Sequence, residues 1–479
     1  MNNKQKTSMF ILGKNVFFRK KRAICKRFAT MLVFCLFLTS CSSSQLTLES
    51  LLTSVNEEHQ SIERTDVNPQ QYVRKPIENA RFDARMNNLN LSWEEFNENK
   101  ELSWQEVQED INYLFDFLHD SYGLYDYFGG EQKFNAAQSA ILEECRNNTN
   151  TTSGILEQSI LKHFTFVKDA HFSINQKFPA TNTYPFFYRE VEYIKVNDTY
   201  QTEKGKRIAS IEGIDDLDEL MKRSISSDGK IVYYPVVLQK CENYDKTFDE
   251  QEYTINKQLI VHYEDGSEQI LTPEPFKLYQ GSTLSEDIYK LEEIDDIPIL
   301  RIDQFNQSES RTLNEYMEVL KDAPIAILDL RSNGGGDVGV ARGLMQRYVG
   351  QNISDSVITM DSWKGIQLDT EDKVWVEKEN ILIILVGKYT VSAAENMIDM
   401  AYSLENTIII GENTNGGMYG GGIVNQLPNS KMLIGCATWQ FYIPTNNSFE
   451  ELRGFLPDIW VPAGEAKDLI LKYIKTLKN

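Results

Sequence analysis

The chain has 479 residues, of which 41% are hydrophobic, so it can bury one large core or several ordinary ones and is not a disordered protein. Its 70 acidic residues outnumber its 49 lysines and arginines, which gives a net charge of −21. Proteins that bind nucleic acid usually carry a basic face, so this excess of acid argues against nucleic acid as a partner.

Residues 1–40 have the composition of an export signal. They contain nine lysines and arginines and no acidic residue, and the basic stretch leads into the apolar segment Met31–Leu38. Eight apolar residues are too few to span a bilayer, so the pattern favours a signal peptide over a transmembrane helix. The leader ends in Leu-Thr-Ser-Cys, with Cys41 as the cysteine, and this run resembles a bacterial lipobox.

In a protein with a lipobox, the cysteine is lipidated and becomes the first residue of the mature chain. The sequence therefore predicts a lipid anchor on Cys41 and a location in the bacterial cell envelope, on the extracytoplasmic side of a membrane. An ordinary secretory peptide that contains a cysteine is the alternative. Residues 41–85 are polar with little apolar periodicity, which predicts a tether between the anchor and the fold.

Two regions precede the C-terminal part of the chain. Residues 86–184 are predicted to form an N-terminal helical domain, because apolar residues recur at helical spacing after a capping-box pattern at Ser103 and Glu106. Residues 185–285 contain short β-like runs separated by turn residues, which predict a small β-rich middle domain. The run 205–213 resembles a strand of a PDZ-type peptide-binding module, so the middle domain is interpreted as PDZ-like.

Residues 286–479 alternate buried strands with helical patterns. This alternation predicts an α/β core with a largely parallel sheet that is covered on both faces, and functional groups are expected at the carboxyl ends of its strands. The predicted strands are Ile299–Ile302, Ile325–Leu330, Ile381–Val386 and Thr407–Ile410, and the predicted helices are Leu313–Leu320, Val338–Tyr348, Ala393–Leu404 and Ala466–Leu477.

The first strand-to-helix junction of interest is the run of three glycines, 334–336, that follows the strand Ile325–Leu330. Glycines allow backbone N–H groups to approach a ligand closely, as an oxyanion hole or a phosphate cradle requires. A flexible turn is the alternative. Neither a Walker A lysine nor a dinucleotide-binding glycine spacing is present, which disfavours nucleotides.

The second junction places Ser392 where the strand Ile381–Val386 turns into a helix. Ser392 is either a helix N-cap, with Glu395 completing a capping box, or a nucleophile whose oxyanion would face the Ala393 N–H at the start of the helix. The residues alone leave both interpretations open.

A serine nucleophile needs a base. The chain has five histidines, of which His171 lies at the seam between the helical and β-rich regions. The only lysine near Ser392 in sequence is Lys388, on the connecting turn, and we interpret it as a solvated surface residue.

Together these motifs resemble a known family. A strand ending in LDLRSNGGG, followed by TVSAAEN and then GENTNGG, is similar to the C-terminal processing (tail-specific) serine proteases. The motifs DAH, at 169–171, and ELRGFLPD, from 451, are more similar to the tricorn-type branch. The resemblance implies a crotonase-like (ClpP/crotonase-type) α/β catalytic core.

The resemblance also implies a role for each matching residue. Ser392 would be the nucleophile, His171 the general base and Glu451 the group that orients it, while the N–H groups of Gly335 and Ala393 would form the oxyanion hole. The processing branch instead carries a lysine where this chain has Gly417, so a lysine base is absent at that position. The tricorn-type branch has a serine before its histidine, where this chain has Ala170.

The function expected from the sequence is that of an exported, lipid-anchored serine endopeptidase. It would act on a peptide or protein substrate through an acyl-enzyme on Ser392. The alternative is a non-catalytic lipoprotein that binds a peptide or a hydrophobic ligand on the same scaffold. No cofactor is expected, and no metal, because the sequence shows no cluster of histidine and cysteine at metal-ligand spacing.

Overall fold

The structure is a computed structural model that describes residues 47–65, 67–68, 94–241, 252–279, 281, 288–353, 355–361, 366–368, 375–438 and 440–478. The predicted signal peptide and Cys41 lie outside these residues. The described residues all belong to one compact unit. Among them, no helix combines the length and the apolar character that a bilayer span requires.

The first described element corrects the prediction of a tether. Helix α1 (Leu48–Gln60) lies within residues 41–85, and it is capped by the Thr47 side chain. Leu51 and Val55, four residues apart, are fully buried and pack in the same core as the central sheet. The predominance of polar residues here belongs to the exposed side of an amphipathic helix.

The N-terminal region is helical, as predicted. The predicted capping box at Ser103 and Glu106 forms at the start of the first of its helices. The helices are α2 (Trp104–Ser121), α3 (Gly130–Arg146) and α4 (Ser153–His163).

The middle region is rich in antiparallel strands. Strand β7 pairs with β2, β3 and β6, and β9 pairs with β5 and β10. The elements from the end of the helical region onward are β1 (Ser173–Ile174), β2 (Asn182–Phe187), β3 (Tyr193–Val196), β4 (Thr199–Thr202), β5 (Ile208–Ile211), α5 (Leu217–Leu220), β6 (Met221–Ile225), β7 (Ile231–Cys241), β8 (Glu252–Tyr253), β9 (Leu259–Tyr263), β10 (Glu268–Leu271) and β11 (Phe276–Lys277). Because β2 starts at Asn182, it crosses the predicted boundary between residues 184 and 185.

The C-terminal region is a mixed α/β fold. Its elements are β12 (Tyr289–Ile294), β13 (Ile297–Ile302), a 3₁₀ turn (Gln307–Glu309), α6 (Ser310–Asp322), β14 (Ile325–Asp329), α7 (Val338–Val349), β15 (Val357–Asp361), β16 (Ile366–Leu368), β17 (Ile381–Val386), α8 (Ala393–Ala401), β18 (Thr407–Gly411), β19 (Gly422–Gln426), β20 (Leu433–Ala437), β21 (Gln440–Pro444), β22 (Ile459–Trp460) and α9 (Ala466–Lys478).

The central sheet has the strand order β12-β13-β14-β17-β18-β22, and every neighbouring pair after the antiparallel β12–β13 pair is parallel. Alternate side chains point to opposite faces. Leu328 and Ile384 pack with α6, α7 and α8, whereas Ile327 and Ile383 pack with α1 and α9. Both faces are therefore covered, as the buried apolar runs predicted.

The sheet order brings the two junctions together. Because β14 and β17 are parallel neighbours, the segments that follow them leave the same edge of the sheet. A hydrogen bond from the Val391 N–H to the Asn333 carbonyl oxygen, 3.1 Å long, links the two segments.

The helical region reaches this edge through a shared core. Buried residues of α2, α3 and α4 pack in one cluster with Ile423, Ile434 and Phe441 of the C-terminal region. Strand β1, two residues after His171, pairs with β20. The seam that carries His171 is thereby fixed against the C-terminal region.

Candidate active site

Ser392 has a backbone conformation that a simple helix cap does not require. Its φ of +60° and ψ of −121° differ from the extended conformation that is usual for an N-cap residue. A non-glycine residue held there costs on the order of 1–3 kcal/mol, and such residues are concentrated at functional sites. This geometry favours the nucleophile over the cap.

Glu395 holds the turn in this conformation. Its carboxylate accepts the Ser392 N–H at 3.1 Å, as the predicted capping box requires. It also accepts the N–H groups of Gly416 and Gly417, both at 2.7 Å, and the Thr414 hydroxyl. Burial raises the pKa of Glu395, which these hydrogen bonds oppose. The sequence pattern suggested the capping contact and gave no sign of the other three.

His171 lies on the turn before β1, beside Asp169. One oxygen of Asp169 accepts the His171 backbone N–H at 2.8 Å and lies 3.6 Å from the ring Nδ1. Nδ1 is buried and has no hydrogen-bond partner among the described residues. Asp169 had no predicted role, although it is part of the DAH motif.

Glu451, which the family resemblance assigned to orient the base, lies in the same cluster. A side-chain oxygen of Glu451, one of Asp169 and a ring nitrogen of His171 lie within 4.8 Å of one another. The Glu451 carboxyl accepts the N–H groups of Ala170 and Met418, both at 3.1 Å. Burial and the neighbouring Asp169 charge raise the pKa of Glu451 well above its usual range.

These three side chains are also of the kinds that bind metal ions. Within the described part of the chain, they are the one set of three such side chains whose ligand atoms lie close enough together to hold a single ion. The sequence showed no metal-ligand spacing because Glu451 is far from the other two along the chain. An imidazole beside two carboxyls is equally the arrangement of a general base and the groups that orient it.

Gly335 lies directly against the Ser392 turn. A side chain at this position would place its Cβ 2.8 Å from the Ser392 Cβ, and the Gly335 φ is +92°, so glycine is required. Its N–H, however, donates to the Asn333 side-chain oxygen at 2.8 Å. Gly335 can therefore stabilise an oxyanion only by sharing or releasing that hydrogen bond. Ala393 begins α8, and its backbone nitrogen lies 3.4 Å from the position that a Cβ at residue 335 would occupy.

Ser392 and His171 face one cavity of about 460 Å³. Two described cavities of similar volume contain neither residue. The structure therefore brings the predicted nucleophile and base to a common space, between the glycine segment and the N-terminal region. The other residues that line this cavity are Ala170, Phe178, Ala180, Asn182, Gly334, Gly336, Tyr389, Val391, Asn415, Gly421 and Leu452.

The interpretation of Lys388 as a solvated residue is wrong. Its side chain is buried, and Nζ donates to the Asn182 side-chain oxygen and to the carbonyl oxygens of Thr414 and Asn415. Burial lowers the pKa of Lys388 to about 7. Lys388 stands on a turn between Gly387 and Tyr389, and neither neighbour indicated in the sequence that its side chain is buried.

Comparisons with known proteins match the part of the chain that contains the Ser392 turn. The model of Peptidase family S41 matches residues 296–461. The tail-specific protease of Haemophilus influenzae is 26% identical over 179 residues, which are 35% of this chain and 25% of that protein. The chain thus matches about a quarter of the length of this curated relative.

Solved structures similar to this chain have low sequence identity. Mature CPAF complexed with lactacystin is 12% identical, with a TM-score of 0.39 over 78% of this chain and 97% of that chain. The photosystem II D1 C-terminal processing protease is 13% identical, with a TM-score of 0.35 over 76% and 94%. The tricorn protease is 14% identical, with a TM-score of 0.34 over 78% and 37%.

The family match covers every strand of the central sheet except β12, together with the glycine segment, the Ser392 turn and Glu451. Within the α/β region, residues 296–461 therefore match Peptidase family S41, and the chain is similar to a tail-specific protease.

Proposed function

We propose that this protein is a serine endopeptidase that hydrolyses peptide bonds through an acyl-enzyme on Ser392, with His171 as the general base. The observation that carries the proposal is the positive φ of Ser392 at the mouth of a cavity that His171 also lines. The match of residues 296–461 to the model of Peptidase family S41 supports it. The substrate is a peptide or a protein.

In this reaction His171 takes the proton of the Ser392 hydroxyl while Oγ attacks the carbonyl carbon. The tetrahedral intermediate collapses, the C–N bond breaks, and the imidazolium returns the proton to the leaving amine. A water molecule then attacks the acyl-enzyme in the same way: His171 takes a proton from the water and gives it to the Ser392 Oγ as the acyl group leaves. Because Nδ1 is buried beside the Asp169 carboxyl, Nε2 is the nitrogen that we assign to proton transfer.

The surrounding groups support the charges that form. The Ala393 N–H, at the start of α8, would donate to the oxyanion, with Gly335 as the second donor once Asn333 releases it. Asp169 lies where its charge would stabilise the imidazolium, and Glu451, whose pKa is raised, lies where its carboxyl would help to fix the ring. We therefore propose Glu451 as an orienting group, as the resemblance implied, and Asp169 beside it.

The finer assignments of fold also belong to the proposal. We propose that the α/β region is a crotonase-like core of the tricorn type, since the lysine of the processing branch is replaced by Gly417. The β5-β9-β10 sheet is the part of the middle region that we propose as PDZ-like. Helix α5, with four residues, follows β5 as a PDZ peptide-binding helix would.

A fluorophosphonate probe tests the proposed function directly. Such a probe phosphonylates a serine whose hydroxyl is activated by a base. We expect the parent protein to be labelled at Ser392 and to hydrolyse an unfolded protein substrate. A protein that binds peptides without labelling at Ser392 and without hydrolysing them would instead be the non-catalytic binding protein.

We also propose that the protein is anchored to a membrane of the bacterial envelope, on its extracytoplasmic side, through lipid on Cys41. Two acyl chains suffice for stable anchoring. We expect Cys41→Ser to move the protein from the membrane to the soluble fraction after cell fractionation. Cys241→Ser is the matched control, because Cys241 is a partly exposed free cysteine of the folded region. Equal membrane retention of parent and Cys41→Ser would contradict the anchor.

A further inference from the structure

Lys388 links two segments that line the catalytic cavity. Its Nζ donates to the Asn182 Oδ1 at 3.0 Å, to the Thr414 carbonyl oxygen at 2.6 Å and to the Asn415 carbonyl oxygen at 3.3 Å. Asn182 begins β2, whereas Thr414 and Asn415 follow β18. The side chains of Asn182 and Asn415 both line the cavity that contains Ser392 and His171.

The lysine and the Thr183 N–H, which donates to the same Asn182 oxygen at 2.7 Å, together determine which way these two amides point. A protonated lysine donates hydrogen bonds but cannot accept them. The side-chain oxygen of Asn182, and not its nitrogen, must therefore face Nζ. The Asn182 Nδ2 then donates to the Asn415 Oδ1 at 3.1 Å, and the Asn415 Nδ2 donates to the Lys388 carbonyl oxygen at 3.0 Å. The three residues form a closed ring of hydrogen bonds that starts from Nζ.

Lys388 and Glu395 hold the same loop from two sides of the nucleophile. Glu395, three residues after Ser392, accepts hydrogen bonds from the Thr414 hydroxyl and from the backbone N–H groups of residues 416 and 417. Lys388, four residues before Ser392, donates to the carbonyl oxygens of Thr414 and Asn415. Displacement of either contact would shift the cavity wall relative to the Ser392 hydroxyl.

We propose that Lys388 is a positioning residue of the catalytic cavity, whose ammonium group holds Asn182 and the 414–415 backbone in the arrangement that accepts the substrate. The inference rests on the proposed peptidase function. Lys388 is not the base in this scheme, because Nζ directs its hydrogen bonds to three other acceptors and makes none with Ser392 in the structure.

The number of acceptors makes the contact sensitive to protonation. Three oxygens face Nζ, which matches the three hydrogens of an ammonium group, whereas a neutral amine has two hydrogens and a lone pair. The charged groups that act on Lys388 are Glu395, from α8, and Glu412, which follows β18; the Tyr184 ring of β2 lies 5.6 Å from Nζ. Burial lowers the pKa of Lys388 to about 7, so the ammonium form is lost as the pH rises through that value.

Activity and stability should then respond to pH in opposite directions. Above about pH 7 the cavity wall loses a donor, and kcat/KM falls. Between that pH and the usual lysine pKa the unfolded chain binds more protons at Lys388 than the folded protein, so this residue's contribution to stability rises with pH. A fall in activity without a fall in the unfolding temperature is the signature of a positioning role.

The test compares kcat and KM across pH for the parent, Lys388→Met and Lys378→Met, together with the unfolding temperatures. Lys378 is the matched control, because it is partly buried, contacts the Tyr348 ring and lies before β17, at the other end from Lys388. We expect Lys388→Met to lower kcat/KM by about 10- to 100-fold and to lose the alkaline fall. Lys378→Met should match the parent.

Glu412→Gln gives a second, milder test that does not depend on the folding of Lys388→Met. Glu412 lies outside the catalytic cavity; burial raises its pKa to about 7, and its ionised form favours the ammonium form of Lys388. Its removal should shift the alkaline fall of kcat/KM to lower pH. An unmoved or abolished fall in Glu412→Gln, or an unchanged fall in Lys388→Met, overturns the inference. A parent that is neither labelled by fluorophosphonate nor hydrolytic refutes the proposed function instead.

Discussion

Ser392→Ala is expected to abolish peptide hydrolysis while leaving the protein folded. The change removes the Oγ that forms the acyl-enzyme, and loss of a serine nucleophile typically lowers turnover by ~10⁴–10⁶-fold. The Ser392 backbone N–H, which donates to Glu395, is retained in alanine, so the turn keeps its support. The measurements are kcat on a peptide substrate and the circular dichroism of the purified variant.

Ser392→Gly is the matched control for the backbone. Glycine adopts a φ of +60° without a steric penalty, so this variant should also be inactive but more stable than Ser392→Ala by about 1 kcal/mol in urea unfolding. Substantial hydrolysis by either variant would return Ser392 to the role of a helix cap. Equal stability of the two variants would mean that the strained backbone is not a feature of the protein in solution.

His171→Gln is expected to lower kcat/KM by at least ~10³-fold and to abolish the acid limb of its pH profile. An imidazole accepts a proton only when it is neutral, so the activity of the parent should rise with pH until the base is deprotonated. Glutamine keeps a polar side chain of similar reach but cannot act as a base in this range. The profile should be measured at substrate concentrations well below KM.

His262→Gln controls for the loss of a histidine. His262 lies in β9 of the middle region, where it contacts Glu212 and Glu268, so its replacement should leave the profile unchanged. The opposite pattern would identify a lysine base: near-parent rates in His171→Gln together with an inactive Lys388→Met. That result would contradict both the histidine mechanism and the positioning role of Lys388.

The sequence was sufficient to predict the two elements on either side of Ser392. The strand predicted over Ile381–Val386 is observed with the same ends, because a continuous apolar run between polar residues marks a strand buried on both faces. The helix that follows begins at Ala393, as predicted. Composition failed at Leu48–Gln60, where the polar face of a helix was taken for a tether.

The groups around Ser392 could not be predicted in this way. Asp169 and Glu451 approach the same imidazole, although 282 positions of sequence separate the two carboxyls, since the helical region shares its core with β20 and β21. The engagement of the Gly335 N–H by Asn333 depends on the shape of the glycine segment, which three consecutive glycines leave open.

The sequence by itself determined where this protein places a serine, a glycine segment and a covered parallel sheet. The reason is that apolar residues recur within short runs at the spacing of the helix or strand that buries them. Only the tertiary structure decided that Lys388 is buried and that Glu395 accepts three further hydrogen bonds, from Thr414, Gly416 and Gly417. The physical reason is that their partners come from distant strands and loops. A polar residue has the same local pattern whether water or the folded chain satisfies its hydrogen bonds.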